Sequence, residues 1–157
     1  MTDRADPFAR IPAASDPLQI AVPRRYNAAL EFIDRNVVEG RGEQIALIDD
    51  SGRYTYRELC QRVNQAGHVL RQAGAGIEQR VLLCLDGGID FVSVFWGAVK
   101  IGAVPVPVNP ALTRDDYNGL LRDSRPRVVV SDLKGEMHFQ STVINQNFPC
   151  RLLTAGA

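Results

Sequence analysis

The sequence predicts an α/β fold with a mainly parallel sheet and flanking helices. Three short apolar segments, at residues 81–85, 104–108 and 128–130, alternate with two segments of helical periodicity, at residues 89–100 and 113–121. Strands that alternate with helices form right-handed crossovers, which place successive strands parallel within one sheet. The chain has 157 residues, which is enough for one domain with its own hydrophobic core.

The composition argues against several functional classes. Hydrophobic residues make up 45% of the chain and charged residues 23%, as in ordinary soluble domains. The 18 basic residues are balanced by 18 acidic ones, so the chain lacks the charge excess of a nucleic-acid-binding protein. No apolar run is long enough to cross a bilayer, and the N-terminus lacks the apolar segment of a secretory signal. We therefore expect a cytoplasmic protein that binds neither nucleic acid nor membranes.

The N-terminal segment differs from the rest of the chain. Residues 1–25 contain four of the nine prolines and show no clear period, which predicts an extended leader before a folded domain at residues 26–157. The domain is predicted to begin with a helix, because apolar residues repeat at helical spacing from Ala29 to Val37 and Gly40 follows.

A hairpin and a capped helix are predicted next. Residues 45–48 and 53–55 are short strand segments, and Gly52 between them suits a tight turn. Thr55 and Glu58 match a capping box, in which each side chain accepts a hydrogen bond from the other residue's backbone amide. The helix that follows has one apolar stripe, consisting of Leu59, Val63, Ala66, Leu70 and Ala73.

The remaining elements build the sheet. Residues 81–85 are all apolar, which predicts a strand covered on both faces. The helix at residues 89–100 is apolar nearly all round and is therefore predicted to be deeply packed, and Thr113 caps the next helix. Residues 133–144 predict a further helix, and residues 151–154 predict a short last strand.

Two prolines conflict with a central position for the second strand. Pro105 and Pro107 lie two residues apart, so both missing amide donors face the same side of the strand. Either that side of the strand is unpaired, or its neighbour tolerates the loss of the hydrogen bonds. The sequence leaves both alternatives open.

Two segments carry a family resemblance. Residues 55–59, Thr-Tyr-Arg-Glu-Leu, resemble the first core motif of the adenylate-forming superfamily, which includes acyl- and aryl-CoA ligases, luciferases and peptide-synthetase adenylation domains. Residues 99–109, Val-Lys-Ile-Gly-Ala-Val-Pro-Val-Pro-Val-Asn, resemble its second core motif. Three further segments look most like benzoate-type aryl-CoA ligases, namely Glu39–Gly42, Ile48–Tyr56 and Asn109–Tyr117.

The resemblance implies a partial N-terminal subdomain of the adenylate-forming ligase fold. In a complete enzyme of this family, an aromatic carboxylic acid attacks the α-phosphate of Mg-ATP, and the thiol of CoA then displaces AMP from the acyl-adenylate. The family's phosphate loop and C-terminal catalytic lysine lie later in the chain and have no counterpart here. We therefore assign no catalytic residue and no metal ligand. ATP, Mg and CoA are expected for a complete family member, and none is expected to be bound by this chain alone.

Arg114 is the one candidate for a cofactor contact. Some relatives use a basic residue just after the Asn-Pro that ends the second motif to hold the 3′-phosphate of CoA. Here Asn109-Pro110 is followed by Ala111, and Arg114 comes a turn later. An exposed arginine at the start of a helix is more commonly a solvated charge, and that is the simpler interpretation.

Other residues resemble ligand sites but have simpler interpretations. Asp86-Gly87-Gly88 follows a buried strand, as phosphate loops do, but it lacks the G-x-G-x-x-G spacing, so a plain turn is expected. His68 and His138 have no Cys or Asp partner at ligand spacing. The three cysteines are widely spaced and are expected to stay reduced, namely Cys60, Cys84 and Cys150.

Adjacent acids and clustered aromatics also have structural explanations. Asp49-Asp50 and Asp115-Asp116 lie where turns and helix caps favour acids, and neighbouring residues point apart. The aromatic residues of the 89–100 helix are expected to pack in the core rather than stack on a ligand. Since they cannot all face one sheet, this helix is also the expected source of exposed apolar surface.

Three hypotheses follow. The first is a truncated N-terminal subdomain of an aryl-CoA ligase, inactive by itself. The second is a stand-alone, non-catalytic interaction or regulatory module derived from this fold. The third is a small Rossmann-like nucleotide-binding protein, which lacks the phosphate loop that it would need. Under either of the first two, the exposed apolar surface favours a homodimer or a partner protein.

Overall fold

The computed structural model describes residues 26–132, 139, 143 and 148–155. A π-helical segment, Leu30–Asp34, leads into the short helix α1, Arg35–Val38. The elements that follow are β1 (Ile45–Asp49), β2 (Gly52–Thr55), α2 (Tyr56–Gln72), β3 (Arg80–Cys84), α3 (Ile89–Lys100), β4 (Val104–Pro107), α4 (Arg114–Ser124), β5 (Val128–Ser131) and β6 (Arg151–Thr154). The predicted leader at residues 1–25 and most of the predicted helix at residues 133–144 lie outside the described residues; Phe139 and Val143 within that stretch are helical.

The predicted parallel sheet is confirmed. Its strands lie in the order β4-β3-β5-β6, and all three pairings are parallel. Leu82 in β3 is opposite Val106 in β4 and Val129 in β5. The antiparallel hairpin β1-β2 is separate from this sheet.

The position of β4 resolves the conflict over its two prolines. Among the described strands β4 lies at the edge of the sheet, and Pro105 and Pro107 are opposite Val81 and Leu83 of β3. The amides of the alternate residues face β3, as shown by Val108, which donates to the Leu83 carbonyl at 2.9 Å. The proline nitrogens therefore face the outer side, where the described chain supplies no strand that needs a donor.

Helices cover both faces of the sheet. On one face α2 and α3 pack against alternate strand residues, with Val81, Leu83, Val128 and Val130 buried there. On the other face α4 and Phe139 pack against Leu82, Cys84 and Val129. Because β3 has buried side chains on both faces, its continuously apolar sequence is explained.

The helices α2 and α3 approach each other closely at two glycines. A Cβ atom on Gly97 would lie 2.8 Å from the Gly67 backbone nitrogen, and one on Gly67 would lie 3.2 Å from the Gly97 carbonyl oxygen. The two glycines therefore allow a backbone separation that no larger residue would permit. This contact fixes α3 against α2 on one face of the sheet.

The prediction about exposed apolar surface is wrong as to its source. Phe91, Phe95 and Trp96 of α3 are partly buried, because the rings pack on one another, with 5.4 Å between the Phe95 and Trp96 centroids. The π-helical segment contributes Phe32, whose ring centroid lies 6.0 Å from that of Trp96. Among the described residues, the large apolar side chains that are exposed are instead Phe32, Val38, Ile45, Ile48, Val69, Ile77 and Val104.

Candidate functional site

The carboxyl edge of the parallel sheet is the first place to look for a site. The chain leaves β3 toward β4 on one side, and β5 lies on the other side, which makes this end a topological switch point. A crevice of about 310 Å³ opens there, where the segments after β3, β5 and β6 meet the turn between β1 and β2. Its described lining consists of Asp49, Ser51, Leu85, Asp86, Gly87, Gly88, Ile89, Asp90, Asp132 and Ala155.

Asp49 is the structural centre of this crevice. One carboxylate oxygen accepts from the amides of Ser51 and Gly52 at 2.8 and 3.0 Å, which closes the hairpin turn. The other oxygen accepts from the Ile89 amide at 2.8 Å. Ile89 is the first residue of α3, so the hairpin supplies the cap of a helix that begins 40 residues later.

This arrangement does not suit a phosphate. The first amide of α3, which would face an anion in a phosphate loop, already donates to Asp49. The described lining contains four aspartates and no basic side chain. No group of three His, Cys, Asp or Glu residues in the described chain could hold a metal ion. Asp86-Gly87-Gly88 thus agrees with a plain turn, in which Gly88 takes a φ of 121°.

The second motif also builds structure rather than a site. Asn109 ends it, and its side chain accepts from the Ala111 amide at 2.9 Å. Its carbonyl accepts from the Tyr117 hydroxyl at 2.9 Å, and Cys84 contacts the same hydroxyl at 3.4 Å. Burial raises the pKa of the Tyr117 hydroxyl well above its ordinary value, so it remains a neutral donor. The motif therefore fixes the loop after β4 to the core.

The structure places Arg114 at the first position of α4, with its side chain exposed. Thr113 caps this helix, and its hydroxyl and amide are bonded to the Asp116 carboxylate at 2.6 and 3.0 Å. Asp115 and Asp116 therefore lie in the same first turn as Arg114. An exposed guanidinium here is accessible to an anion.

The remaining sequence candidates are not brought together. His68 lies exposed on α2, 2.9 Å from the Gln72 amide nitrogen, and His138 lies outside the described residues. Trp96 packs between Phe32 and Phe95, as expected of a structural aromatic.

The three cysteines are free, as predicted. Burial is the main cause that raises the pKa of all three thiols, and it raises the pKa of Cys150 to about 11. A thiol with such a pKa is protonated near neutral pH and is a poor nucleophile. None of the three therefore has the character of a catalytic cysteine.

Sequence reasoning missed two contacts that hold α3 in place. The Asn27 side chain donates to the Val99 and Lys100 carbonyls at 3.2 and 3.1 Å, at the end of α3. Lys100 also pairs with Asp34 at 2.6 Å. No local sequence pattern predicts either contact, because the partners are 66 to 73 residues apart.

Comparison with known proteins decides the family. The AMP-binding enzyme family matches residues 34–150, which is most of the chain. The chain belongs to this family. The predicted resemblance to the adenylate-forming superfamily is thus confirmed.

The similar curated proteins include CoA ligases for aromatic acids. A benzoate–CoA ligase from Thauera aromatica is 48% identical over 118 residues, covering 74% of this chain and 22% of that protein. A 4-hydroxybenzoate–CoA/benzoate–CoA ligase from Rhodopseudomonas palustris is 49% identical over 106 residues, covering 68% and 20%. The chain therefore spans about a fifth of the length of these curated relatives.

Solved structures confirm the fold. A benzoate CoA ligase from Burkholderia xenovorans matches with a TM-score of 0.75 and 31% identity, covering 83% of this chain and 26% of that one. An anthranilate CoA ligase in complex with anthranoyl-AMP matches with a TM-score of 0.79 and 28% identity, covering 86% and 26%. The chain thus has the fold of the N-terminal part of adenylate-forming ligases. Within the described residues, no helix is both long and apolar enough to span a membrane.

Proposed function

We propose that this chain is the N-terminal α/β part of a benzoate-type aryl-CoA ligase, with residues 1–25 as a leader and residues 26–157 as the partial subdomain. The observation that carries the proposal is the 48% identity to a benzoate–CoA ligase over 118 residues. In the complete enzyme, ATP and Mg would convert an aromatic carboxylic acid to its adenylate, and CoA would then take up the acyl group as a thioester.

The role of this part is to support the fold around the reacting groups. Both core motifs act through backbone hydrogen bonds: Thr55 caps α2 in the first, and Asn109 holds the loop after β4 in the second. The basic groups of both motifs are engaged in ion pairs: Arg57 of the first motif pairs with Glu43 at 2.7 Å, and Lys100 of the second pairs with Asp34 at 2.6 Å. We therefore propose that the 157-residue chain is catalytically inactive alone. We also propose that the protein is cytoplasmic.

The direct test is acid-dependent exchange between ATP and pyrophosphate. The purified 157-residue chain is assayed with benzoate and Mg-ATP, with a full-length benzoate–CoA ligase as positive control and an empty-vector preparation as background. We expect exchange at the background rate, because the sequence contains no phosphate loop. Exchange above that background which depends on benzoate would contradict the proposed inactivity.

Arg114 is proposed to contact the 3′-phosphate of CoA in the complete enzyme, since its guanidinium is exposed. Replacing it with Gln in a full-length enzyme that contains this sequence should raise KM for CoA and leave benzoate-dependent exchange unchanged. An unchanged KM for CoA would mean that Arg114 is a solvated surface charge that does not contact CoA.

A stand-alone interaction module is the second candidate, and a specific observation favours it. Several exposed apolar side chains are spread over different elements, with Ile77, Val38 and Ile48 exposed by 79%, 69% and 62%. A contiguous patch formed by such side chains would favour a homodimer or a partner protein, whereas side chains that are scattered singly would not. Sedimentation of the isolated chain tests this candidate. Self-association would support the interaction module, and a monodisperse monomer at high concentration would oppose a homodimer.

A further inference from the structure

We propose that the amino edge of the parallel sheet carries a separate binding site, which takes a small oxyanion of the phosphate class. The site is a crevice of about 250 Å³ and is called here the arginine crevice. Its described lining consists of Glu78, Gln79, Arg80, Arg125, Arg127, Phe148 and Pro149. It lies at the opposite end of the sheet from the crevice around Asp49.

The backbone brings the three arginines together. Arg80 begins β3 and Arg127 precedes β5, and the Arg127 amide donates to the Arg80 carbonyl at 2.8 Å. Adjacent strands lie about 4.8 Å apart, so these two residues are direct neighbours. Arg125 ends α4 in a left-handed conformation with a φ of 43°, just before the buried Pro126. The positions of all three are therefore set by the fold.

The charges of the arginine crevice are not balanced within the described chain. Arg80 and Arg125 are exposed, and neither has an ion pair in the part that the structure describes. Glu78 is the single carboxylate among the described lining residues. Arg127 has a structural role, because its Nε donates to the Gly74 carbonyl beyond the end of α2 at 3.2 Å. Two guanidinium groups thus remain for a ligand, with the charge of Arg127 beside them.

The chemistry of the lining indicates the class of ligand. Guanidinium groups match phosphate oxygens with paired donors, and several around one cavity suit a multiply charged oxyanion. The cavity is smaller than the range of about 300 to 1,000 Å³ that is usual for drug-sized ligands, so a small anion fits better. Phe148 and Pro149 form the apolar wall of the crevice.

An NMR titration of the ¹⁵N-labelled 157-residue chain with inorganic pyrophosphate tests the proposal. We expect saturable shifts of the amides around Arg80 and Arg127 at low salt. Arg80→Gln and Arg125→Gln should each weaken binding roughly tenfold, as for the loss of one charge-assisted contact. Arg53→Gln is the matched control, because Arg53 is an exposed arginine on β2, outside the crevice. This variant should keep the wild-type affinity.

Three results would overturn the proposal: no saturable shift, shifts that centre elsewhere, or an equal loss of affinity in Arg53→Gln. Benzoate is titrated as a second probe, and binding as tight as that of pyrophosphate would exclude the phosphate class. Thermal unfolding of each variant is compared with that of wild type. Within the described residues, the side chains of Arg80 and Arg125 make no hydrogen bond or ion pair, so loss of binding with an unchanged Tm would come from the ligand contact itself.

Discussion

At the carboxyl edge of the sheet three helices begin, and a carboxylate accepts a hydrogen bond from a backbone amide at the start of each. At the amino edge α2 ends, and two arginines donate to carbonyls at its end. Glu58, Asp49 and Asp116 bind the starts of α2, α3 and α4. At the other edge, Arg151 donates to the Gln72 carbonyl at 3.3 Å and Arg127 to the Gly74 carbonyl. Both patterns complement the helix dipoles, which are positive at the start of a helix and negative at its end.

The two edges differ in how many of their charged side chains form hydrogen bonds within the fold. Both oxygens of Asp49 accept backbone hydrogen bonds, so this acid acts as part of the fold. At the amino edge, the side chains of Arg80 and Arg125 make no hydrogen bond or ion pair with the part of the chain that the structure describes. Asp49 at the carboxyl edge should therefore matter for stability, and Arg80 and Arg125 at the amino edge for binding.

The largest effect is expected from Asp49→Ala at the carboxyl edge. The change removes three hydrogen bonds to backbone amides and should lower the free energy of unfolding by about 2 to 3 kcal/mol. Asp50→Ala is the adjacent control, since Asp50 is exposed, and a change within about 0.5 kcal/mol is expected there. Urea unfolding measures both. Equal effects of the two variants would mean that Asp49 is not the cap of α3.

Gly88→Ala should have the next largest effect. Gly88 has a φ of 121°, and an added Cβ would lie 3.0 Å from a carboxylate oxygen of Asp49. Non-glycine residues in such conformations cost about 1 to 3 kcal/mol of stability. Gly87→Ala provides the control, because a Cβ there meets nothing within 4 Å. The same urea titration applies, and a tolerated Gly88→Ala would show that the turn can relax around Asp49.

Arg127→Gln at the amino edge should lower the free energy of unfolding by a smaller amount. It removes one hydrogen bond to the Gly74 carbonyl, on a half-exposed side chain, so a loss of about 1 kcal/mol is expected. Arg80→Gln in the same crevice should leave the stability of the chain unchanged in thermal unfolding. A larger loss for Arg80→Gln than for Arg127→Gln would reverse the assignment of structural and binding roles.

The smallest expected effect is on the pH dependence of the free energy of unfolding. The hydrogen bonds from Thr55 lower the pKa of Glu58 below 4.5, and those from Thr113 lower the pKa of Asp116 below 3.8. Their stabilising contribution is therefore complete above these ordinary values and is lost as the pH falls through the lowered ones. Urea unfolding between pH 7 and pH 3 should show a decline that is shallower in Glu58→Gln. An identical decline in that variant would exclude Glu58 as a contributor.

Local signals were sufficient for most of the fold. Both capping boxes involve residues three apart, so the start of α2 could be predicted from Thr55 and Glu58, and the start of α4 from Thr113. The order of strands and helices predicted the parallel sheet because crossovers have one handedness. The two core motifs carried the family resemblance, since they lie in continuous segments of sequence.

Contacts between distant segments were decided by the tertiary structure. The bond from the Ile89 amide to Asp49, and the convergence of Arg80 with Arg125 and Arg127, follow from packing that no local pattern encodes. The same holds for the edge position of β4, which resolved the conflict over Pro105. The sequence by itself determined the elements, their caps and the family, because these depend on neighbours along the chain. Only the tertiary structure decided which charged side chains form hydrogen bonds within the fold, because burial and pairing depend on neighbours in space.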